Sequence, residues 1–256
     1  MTTGLFAKFR KKNAGVTPPH IPDDERVYCI GDIHGMADLL QQLHKKIQSD
    51  AADYSGKKTI VYLGDYVDRG EQSRQVIELL LCDPLPGFEP VYLQGNHEQA
   101  MLSFIDYPEA AASWLSLGGR ETLNSYGITL AHIPGRHEVV ELAQRLDQEL
   151  PAAHRDFLQN CADSWRCGSY YFIHAGIQPG IALDQQILED QLWIRDEFLE
   201  SKRDHGAIIV HGHSITPEVE LLPNRIGIDT GAFATGVLTC LVLEGSSQRL
   251  LQTGRS

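Results

Sequence analysis

The stretch VYCIGDIHG at residues 27–35 joins a short apolar run to a loop that contains Asp32 and His34. Residues 27–30 are rich in strand-forming side chains, as is typical of a buried β-strand. Four later runs end in the same abrupt way: 59–63 before GDYVDRG (64–70), 91–94 before GNHE (95–98), 170–173 before HAG (174–176), and 208–210 before HGH (211–213). The sequence therefore predicts five strands, each followed by a polar loop.

Helical patterns lie between the first of these strands. The apolar residues that recur at helical spacing are Leu39, Leu40, Leu43 and Ile47 after the first loop, and Val76, Ile77, Leu80 and Leu81 after the second. Strands that alternate with helices indicate a layered α/β fold. Because loops beyond the carboxyl ends of parallel strands line one crevice, we expect the five polar loops to meet there.

The remaining segments predict a single domain over residues 25–256 with a helical insertion over about 98–165. Past residue 225 the pattern returns to strands, at 226–229, 237–243 and 249–253, the last two forming a hairpin across Gly245-Ser246-Ser247. Residues 1–24 begin with a basic cluster and are predicted to be a disordered tail. Leu5, Phe6 and Phe9 beside that cluster offer weak contact with an anionic membrane surface as an alternative.

Composition narrows the class of protein. The 256 residues are 42% hydrophobic and carry a net charge of −12, which favours a globular fold and argues against nucleic acid as a partner. A phosphorylated substrate is still compatible, because bound metal ions reverse the local charge. No apolar run reaches the roughly 20 residues of a membrane span. The five cysteines include no C-x-x-C pair, which favours a reducing, cytoplasmic compartment.

The polar loops together hold carboxylates, imidazoles and an amide, but no thiolate. The residues are Asp32, His34, Asp65, Asp68, Asn96, His97, His174, His211 and His213. An isolated aspartate after a strand is usually a turn or cap residue, but five such loops in one chain argue against that reading. Oxygen ligands mixed with imidazoles are more typical of a site for Mn, Fe or Zn with open positions than of a structural zinc site, which uses thiolates.

The ordered motifs GDIHG, GDYVDRG, GNHE, HAG and GH resemble the signature of the calcineurin-like metallophosphoesterases. The resemblance is strongest to the PPP-type serine/threonine protein phosphatases in their compact bacterial and phage form, and it includes WIR at 193–195 and DTG at 229–231. It implies a four-layer α/β/β/α sandwich around two divalent metal ions, with Mn²⁺ favoured and Fe or Zn possible.

The same resemblance implies a role for each matching residue. Asp32 and His34 would hold the first metal, and Asp65 would bridge the two metals. Asn96, His174 and His213 would complete the second metal site. Arg69 and Arg195 would bind phosphate, and His97 would be the general acid, oriented by Asp68. Two-metal sites activate water and clamp phosphate. Two assignments stay open: His211 either supports the site or merely ends a strand, and Arg195 alternatively pairs with Asp196 or Glu197.

The function implied is hydrolysis of phosphomonoesters in phosphoserine or phosphothreonine proteins, through attack by hydroxide held between the metals. Alternatives are symmetrical hydrolysis of dinucleoside polyphosphates, or action on phosphotyrosine or small phosphoesters. Asp68 and Glu98 match the protein-phosphatase pattern, whereas HAG is shared with the nucleotide branch. A non-enzymatic scaffold is disfavoured because all ligand positions and His97 are present. Within the insertion, Trp114, residues 118–120 and Tyr126 either shape a substrate wall or simply pack. The oligomeric state is not predicted.

Overall fold

The computed structural model describes residues 18–254, which form two five-stranded sheets. The first sheet has the order β10-β9-β1-β2-β3. Its strands are β1 (Glu25–Ile30), β2 (Lys57–Tyr62), β3 (Glu89–Tyr92), β9 (Thr239–Glu244) and β10 (Ser247–Gln252). β1, β2 and β3 are parallel, whereas β9 pairs antiparallel with both β1 and β10. The carboxyl ends of three parallel strands therefore point the same way.

The second sheet has the order β4-β5-β6-β8-β7. Its strands are β4 (Ser164–Cys167), β5 (Tyr170–Ile173), β6 (Ile208–His211), β7 (Glu220–Leu221) and β8 (Arg225–Gly227). β5, β6 and β8 are parallel, and the short strands β4 and β7 run antiparallel at the two edges. This sheet also has a parallel centre, so its loops can reach those of the first sheet.

An apolar core joins the two sheets. Val27 and Cys29 of β1 pack there with Phe172 and Val210 of the second sheet. The alternate residues of β1, such as Tyr28, face the helices on the other side. This period of two is what a strand buried on both faces requires.

Helices cover the outer face of the first sheet. They are α1 (Ala37–Asp50), α2 (Ser73–Cys82), α3 (Asn96–Asp106), a 3₁₀ helix (Ala112–Leu117), α4 (Gly119–Ser125), α5 (Arg136–Glu149) and α6 (Ala152–Gln159). The insertion shares a core with α1 and α2, and Phe157 of α6 packs edge-on against Tyr66, with ring centroids 5.3 Å apart. The insertion is thus continuous with the first helical layer.

Short helices and loops cover the outer face of the second sheet. Ile173 and Ile209 pack there against Ile194 and Phe198. The helical elements of this part of the chain are a 3₁₀ turn (Leu183–Gln185), α7 (Leu188–Trp193) and α8 (Asp196–Leu199), and α9 (Ala232–Thr235) follows β8. The predicted α/β/β/α layering is confirmed, with a thin fourth layer. Over residues 18–254, no helix is both long and apolar enough to cross a membrane.

Several boundaries differ from those predicted. Ile21 is fully buried between the sheets and donates its N–H to the Gly245 carbonyl at 2.9 Å, so the fold begins before residue 25. The rest of the predicted tail, residues 1–17, lies outside the described residues. Leu81 is partly exposed because α2 turns it away from the core. The edge strands β4 and β7 went unpredicted, since four and two residues are too short to show alternation.

Candidate metal centre and active site

The five polar loops meet at one end of the two sheets. The loop after β1 contacts the loop after β6, where the His213 N–H donates to the Asp32 carboxylate at 3.0 Å. It also contacts the loop after β2, where His34 Nδ1 donates to the Val67 carbonyl at 2.9 Å. Convergence of loops from both sheets places the predicted residues in one buried cluster.

The backbone of these loops is unusual. Over residues 18–254, five non-glycine residues have positive φ: His34, Asp65, Asp68, Arg69 and His213. This region disfavours side chains with a Cβ, and such residues concentrate at functional sites. Glu98 at the start of α3 holds the loop after β2, because its carboxylate accepts the N–H groups of Asp65, Tyr66 and Val67 at 2.8–3.2 Å.

Asp65 lies at the centre of the cluster. One carboxylate oxygen is 3.4 Å from His34 Nε2 and 3.8 Å from His97 Nε2, and the other is 3.4 Å from His174 Nε2. Two groups of potential metal ligands share this residue: His34, Asp65 and His97, and Asp65, His174 and His213. Within each group the ligand atoms all lie within 4.8 Å of one another. A shared carboxylate is the arrangement expected for two adjacent cations.

The imidazoles present unpaired lone pairs to the interior of the cluster. His34 Nδ1 donates to a carbonyl, and its Nε2 is buried with no hydrogen-bond partner among the residues that the structure describes. His174 Nδ1 donates to the Leu63 carbonyl at 2.8 Å, which leaves Nε2 facing the Asn96 amide oxygen at 2.9 Å. Asn96 Oδ1 also lies 2.9 Å from His213 Nδ1, so this oxygen and the two imidazoles converge where a cation would fit.

The protonation states also fit a cation. Burial lowers the pKa of His34 to about 3 and that of His213 to about 2, and it lowers the pKa of His174 as well. Burial alone raises the pKa of Asp65, but the surrounding imidazoles outweigh it and the net pKa is lowered. Near neutral pH these residues are therefore neutral imidazoles and a carboxylate, the forms that bind metal ions.

Asp32 is placed differently from the other predicted ligands. Its carboxylate lies against the backbone of Gly212 and His213, and a Cβ on Gly212 would come within 2.0 Å of it. His97, rather than Asp32, completes the first compact group. Burial, together with the charges of Asp229 and Asp65, raises the pKa of Asp32. Three neighbouring carboxylates in a buried region call for a positive charge.

His97 and Asp68 form a buried pair. His97 Nδ1 donates to Asp68 Oδ2 at 2.7 Å, and His97 Nε2 faces the Arg69 guanidinium at 3.3 Å. Burial lowers the pKa of His97, but Asp65 and the hydrogen bond to Asp68 raise it more, so the net pKa is raised. A histidine held in this way can carry a proton toward a substrate.

The two arginines differ in their surroundings. The half-buried Arg69 stacks over the Phe233 ring at 4.9 Å. Arg195 is exposed, and its Nη1 lies 3.4 Å from Ser214 Oγ, beside His213. Among residues 18–254, Arg195 makes no ion pair with Asp196 or Glu197. Both guanidinium groups therefore border the cluster with donors available for phosphate.

His211 lies outside both ligand groups. It is buried beside Phe198, and its Nε2 is 3.3 Å from Arg225 Nη1. Burial lowers its pKa to about 3, so it is neutral near pH 7. The structure thus places His211 outside the cluster of potential ligands, packed at the end of β6 two residues before His213.

Four residues contact the site in ways that the sequence did not predict. They are Trp114 and Thr122, which donate to Asp68, Phe233, which stacks on Arg69, and Asp229, whose Oδ2 is buried with no hydrogen-bond partner among residues 18–254. Trp114 is fully buried, so it cannot form part of the substrate wall that the sequence offered as one alternative. Asp229 was signalled by the DTG motif at 229–231, whereas nothing indicated the contact of Trp114 because Asp68 lies 46 residues away.

A family model of calcineurin-like phosphoesterases matches residues 25–234. The chain belongs to the calcineurin-like phosphoesterases. This membership confirms the family resemblance of the motifs, and the described His and Asp groups are positioned for the metal centre of such an enzyme.

Relatives of this phosphoesterase are named for different enzymatic activities. Serine/threonine-protein phosphatase 2 of Salmonella typhimurium is 27% identical over 226 residues, covering 83% of this chain and 90% of its own. The asymmetrical bis(5'-nucleosyl)-tetraphosphatase PrpE of Anoxybacillus flavithermus is 25% identical over 232 residues, covering 83% and 88%.

A solved structure shares the fold. The cold-active protein-tyrosine phosphatase of a psychrophilic Shewanella species superposes with a TM-score of 0.55 at 18% identity, covering 91% of this chain and 83% of its own. The names of these three proteins indicate three different substrates, so membership of the phosphoesterase family leaves the substrate undecided.

Proposed function

We propose that this phosphoesterase hydrolyses phosphomonoesters and removes phosphate from phosphoserine and phosphothreonine in proteins. The observation that carries the proposal is the buried His97–Asp68 pair, whose histidine belongs to one of two groups of potential ligands that share Asp65. A proton donor next to a two-cation site supplies both requirements of phosphoester hydrolysis, stabilisation of charge and protonation of the leaving group.

The proposed ligands are Asp32, His34 and Asp65 for the first cation and Asp65, Asn96, His174 and His213 for the second. Two bound divalent cations would neutralise the phosphate and lower the pKa of a bound water. The unpaired His34 Nε2 and the facing His174 and Asn96 acceptors support this assignment. Mixed nitrogen and oxygen donors favour Mn²⁺, with Fe or Zn as alternatives.

The chain itself supplies the proton and holds the phosphate. Water gives one proton to solvent, and the resulting hydroxide oxygen forms its bond to phosphorus while the ester P–O bond breaks and its electron pair goes to the leaving oxygen. His97 Nε2 gives that oxygen a proton, while Asp68 keeps Nδ1 protonated and the ring oriented. His97 later regains a proton from solvent. The guanidinium groups of Arg69 and Arg195 bind the phosphate oxygens. The products are an alcohol and inorganic phosphate.

Two features support a protein substrate, and one favours a second candidate. Asp68 and Glu98 fit the pattern of PPP-type phosphatases, and both are buried against catalytic loops. Hydrolysis of dinucleoside polyphosphates is the second candidate, because a relative named for that activity is nearly as similar.

We further propose a cytoplasmic location, which the five unpaired cysteines support, and no role for nucleic acid.

A side-by-side kinetic comparison tests this assignment. The Mn²⁺-loaded enzyme is assayed on phosphoserine, phosphothreonine and phosphotyrosine peptides and on diadenosine tetraphosphate. We expect kcat/KM to favour the phosphoserine and phosphothreonine peptides by more than about tenfold, which corresponds to about 1.4 kcal/mol. An equal or larger preference for the nucleotide or for phosphotyrosine would contradict the proposed substrate class.

A further inference from the structure

Asp68 receives three side-chain hydrogen bonds in a fully buried position. Oδ2 accepts from His97 Nδ1 at 2.7 Å and from Trp114 Nε1 at 2.9 Å, and Oδ1 accepts from Thr122 Oγ1 at 2.6 Å. The backbone N–H of Asp68 also donates to Thr122 Oγ1 at 2.8 Å. The carboxylate plane is therefore fixed by donors on both oxygens, and a buried network satisfied in this way is rigid.

Trp114 and Thr122 reach this site from the helical insertion. Trp114 belongs to the 3₁₀ helix and Thr122 to α4, 46 and 54 residues after Asp68. Both side chains are completely buried, so a substrate cannot touch them. Their contact with the reacting atoms is indirect, through Asp68 and then His97.

The indole of Trp114 is itself held in place. Its ring packs against Phe104 of α3, with centroids 4.9 Å apart. The indole also lies against Gly119, where a Cβ would come 2.5 Å from the ring, so only glycine allows this close approach. The N–H of Trp114 therefore has one available direction, toward Asp68.

We propose that Trp114 and Thr122 are positioning residues that orient Asp68 and thereby aim the proton donor of His97 at the leaving oxygen. The inference rests on the proposed general-acid role of His97. Without the two donors, the Asp68 carboxylate can rotate, and the Nδ1–H bond no longer fixes the imidazole ring. The insertion then contributes to proton transfer as well as to packing.

Trp114→Phe tests this role, because it keeps an aromatic ring and removes the indole N–H. Phe104→Leu is the matched control, since it loosens the same contact and leaves the hydrogen bond to Asp68. The Mn²⁺-loaded variants are assayed on an alkyl phosphate and on p-nitrophenyl phosphate. We expect Trp114→Phe to lower kcat on the alkyl phosphate by about 10- to 100-fold, with KM unchanged. On p-nitrophenyl phosphate, whose leaving group needs little protonation, the change stays within about threefold.

A second pair of variants keeps the test decisive if Trp114→Phe folds poorly. Thr122→Val removes the hydroxyl without changing the side-chain shape, and Thr122→Ser restores it. We expect the valine variant to show the same substrate-dependent loss and the serine variant to recover at least half of the wild-type kcat. ¹⁵N NMR of the Zn²⁺-loaded protein should show a well-defined Nδ1–H signal for His97 in wild type and Thr122→Ser, and a weakened one in Thr122→Val.

Two patterns would overturn the inference. One is an equal loss on both substrates in Trp114→Phe and Phe104→Leu, which shows packing alone. The other is an unchanged His97 signal together with unchanged kcat in Thr122→Val. His97→Asn, assayed on the same substrates, separates this failure from failure of the proposed mechanism. If His97→Asn shows no dependence on the leaving group, the general-acid role itself is wrong.

Discussion

Gly118 lies directly against Arg69, and the backbone geometry there determines how much its replacement by alanine lowers the free energy of unfolding. Gly118 has φ 116° and ψ 7°, a conformation that residues with a Cβ avoid. A Cβ there would lie 2.5 Å from Arg69 N and 2.9 Å from Arg69 Cγ. Arg69 N–H also donates to the Gly118 carbonyl at 3.2 Å. Gly118→Ala must therefore displace one of the two segments.

Two effects add in this variant. The left-handed backbone costs about 1–2 kcal/mol for a residue with a Cβ. Loss of the hydrogen bond from Arg69 adds about 1 kcal/mol. Together they lower the free energy of unfolding by about 2–3 kcal/mol, which for a chain of this size lowers Tm by about 4–12 °C. Because Arg69 moves, we also expect the inhibition constant of inorganic phosphate to rise by about tenfold.

Gly127→Ala is the matched control. Gly127 has φ 82°, but among residues 18–254, its two chain neighbours aside, no atom lies within 4 Å of the position of its Cβ. It should lose only the conformational part, about 1–2 kcal/mol, and keep wild-type phosphate inhibition. Differential scanning calorimetry and inhibition of p-nitrophenyl phosphate hydrolysis by phosphate measure the two quantities. Equal changes in both variants would refute the claim that the insertion braces Arg69.

Three further predictions concern other residues. Burial lowers the pKa of His44 to about 4 from its usual 6.5, so His44 takes up a proton at higher pH in the unfolded chain than in the folded one. The free energy of unfolding therefore falls by about 3 kcal/mol for this residue as pH drops from 6.5 to 4. Urea titrations should show a correspondingly weaker pH dependence in His44→Gln, and an unchanged one would contradict this. Arg195→Ala should raise KM about tenfold on phosphomonoesters and leave Tm within about 1 °C, since the side chain is exposed; unaltered KM would exclude phosphate binding. His34→Ala should reduce bound Mn²⁺ from two ions to about one by elemental analysis, because its buried Nε2 has no hydrogen-bond partner in the described part of the chain; two retained ions would remove His34 from the ligands.

The layers and the meeting of the polar loops could be predicted from local sequence. Each central strand is a short apolar run, and each loop contains glycine, so the strand pattern and the turn residues agree. The parallel order of β1, β2 and β3 then places the loops at one edge. The predicted ligand residues accordingly lie within one cluster, although their roles stay proposals.

What the sequence could not show depends on contacts between distant residues. Nothing near Trp114 or Thr122 indicates that each donates to Asp68, because the contact exists only once the insertion packs on α2 and α3. Ile21 looks like part of a proline-rich tail, yet its burial follows from the turn at Gly245. The position of Asp32 against Gly212 likewise depends on how the two sheets pack together, which the local patterns of the individual strands do not encode.

The central claim is that Asp65 is shared by two cation sites. Crystals grown with Mn²⁺ and measured near the manganese absorption edge test it directly. The account predicts two anomalous peaks in contact with the Asp65 carboxylate, one on the side of His34 and the other on the side of His174. A single peak, or peaks bound elsewhere in an enzyme that is active, would contradict it.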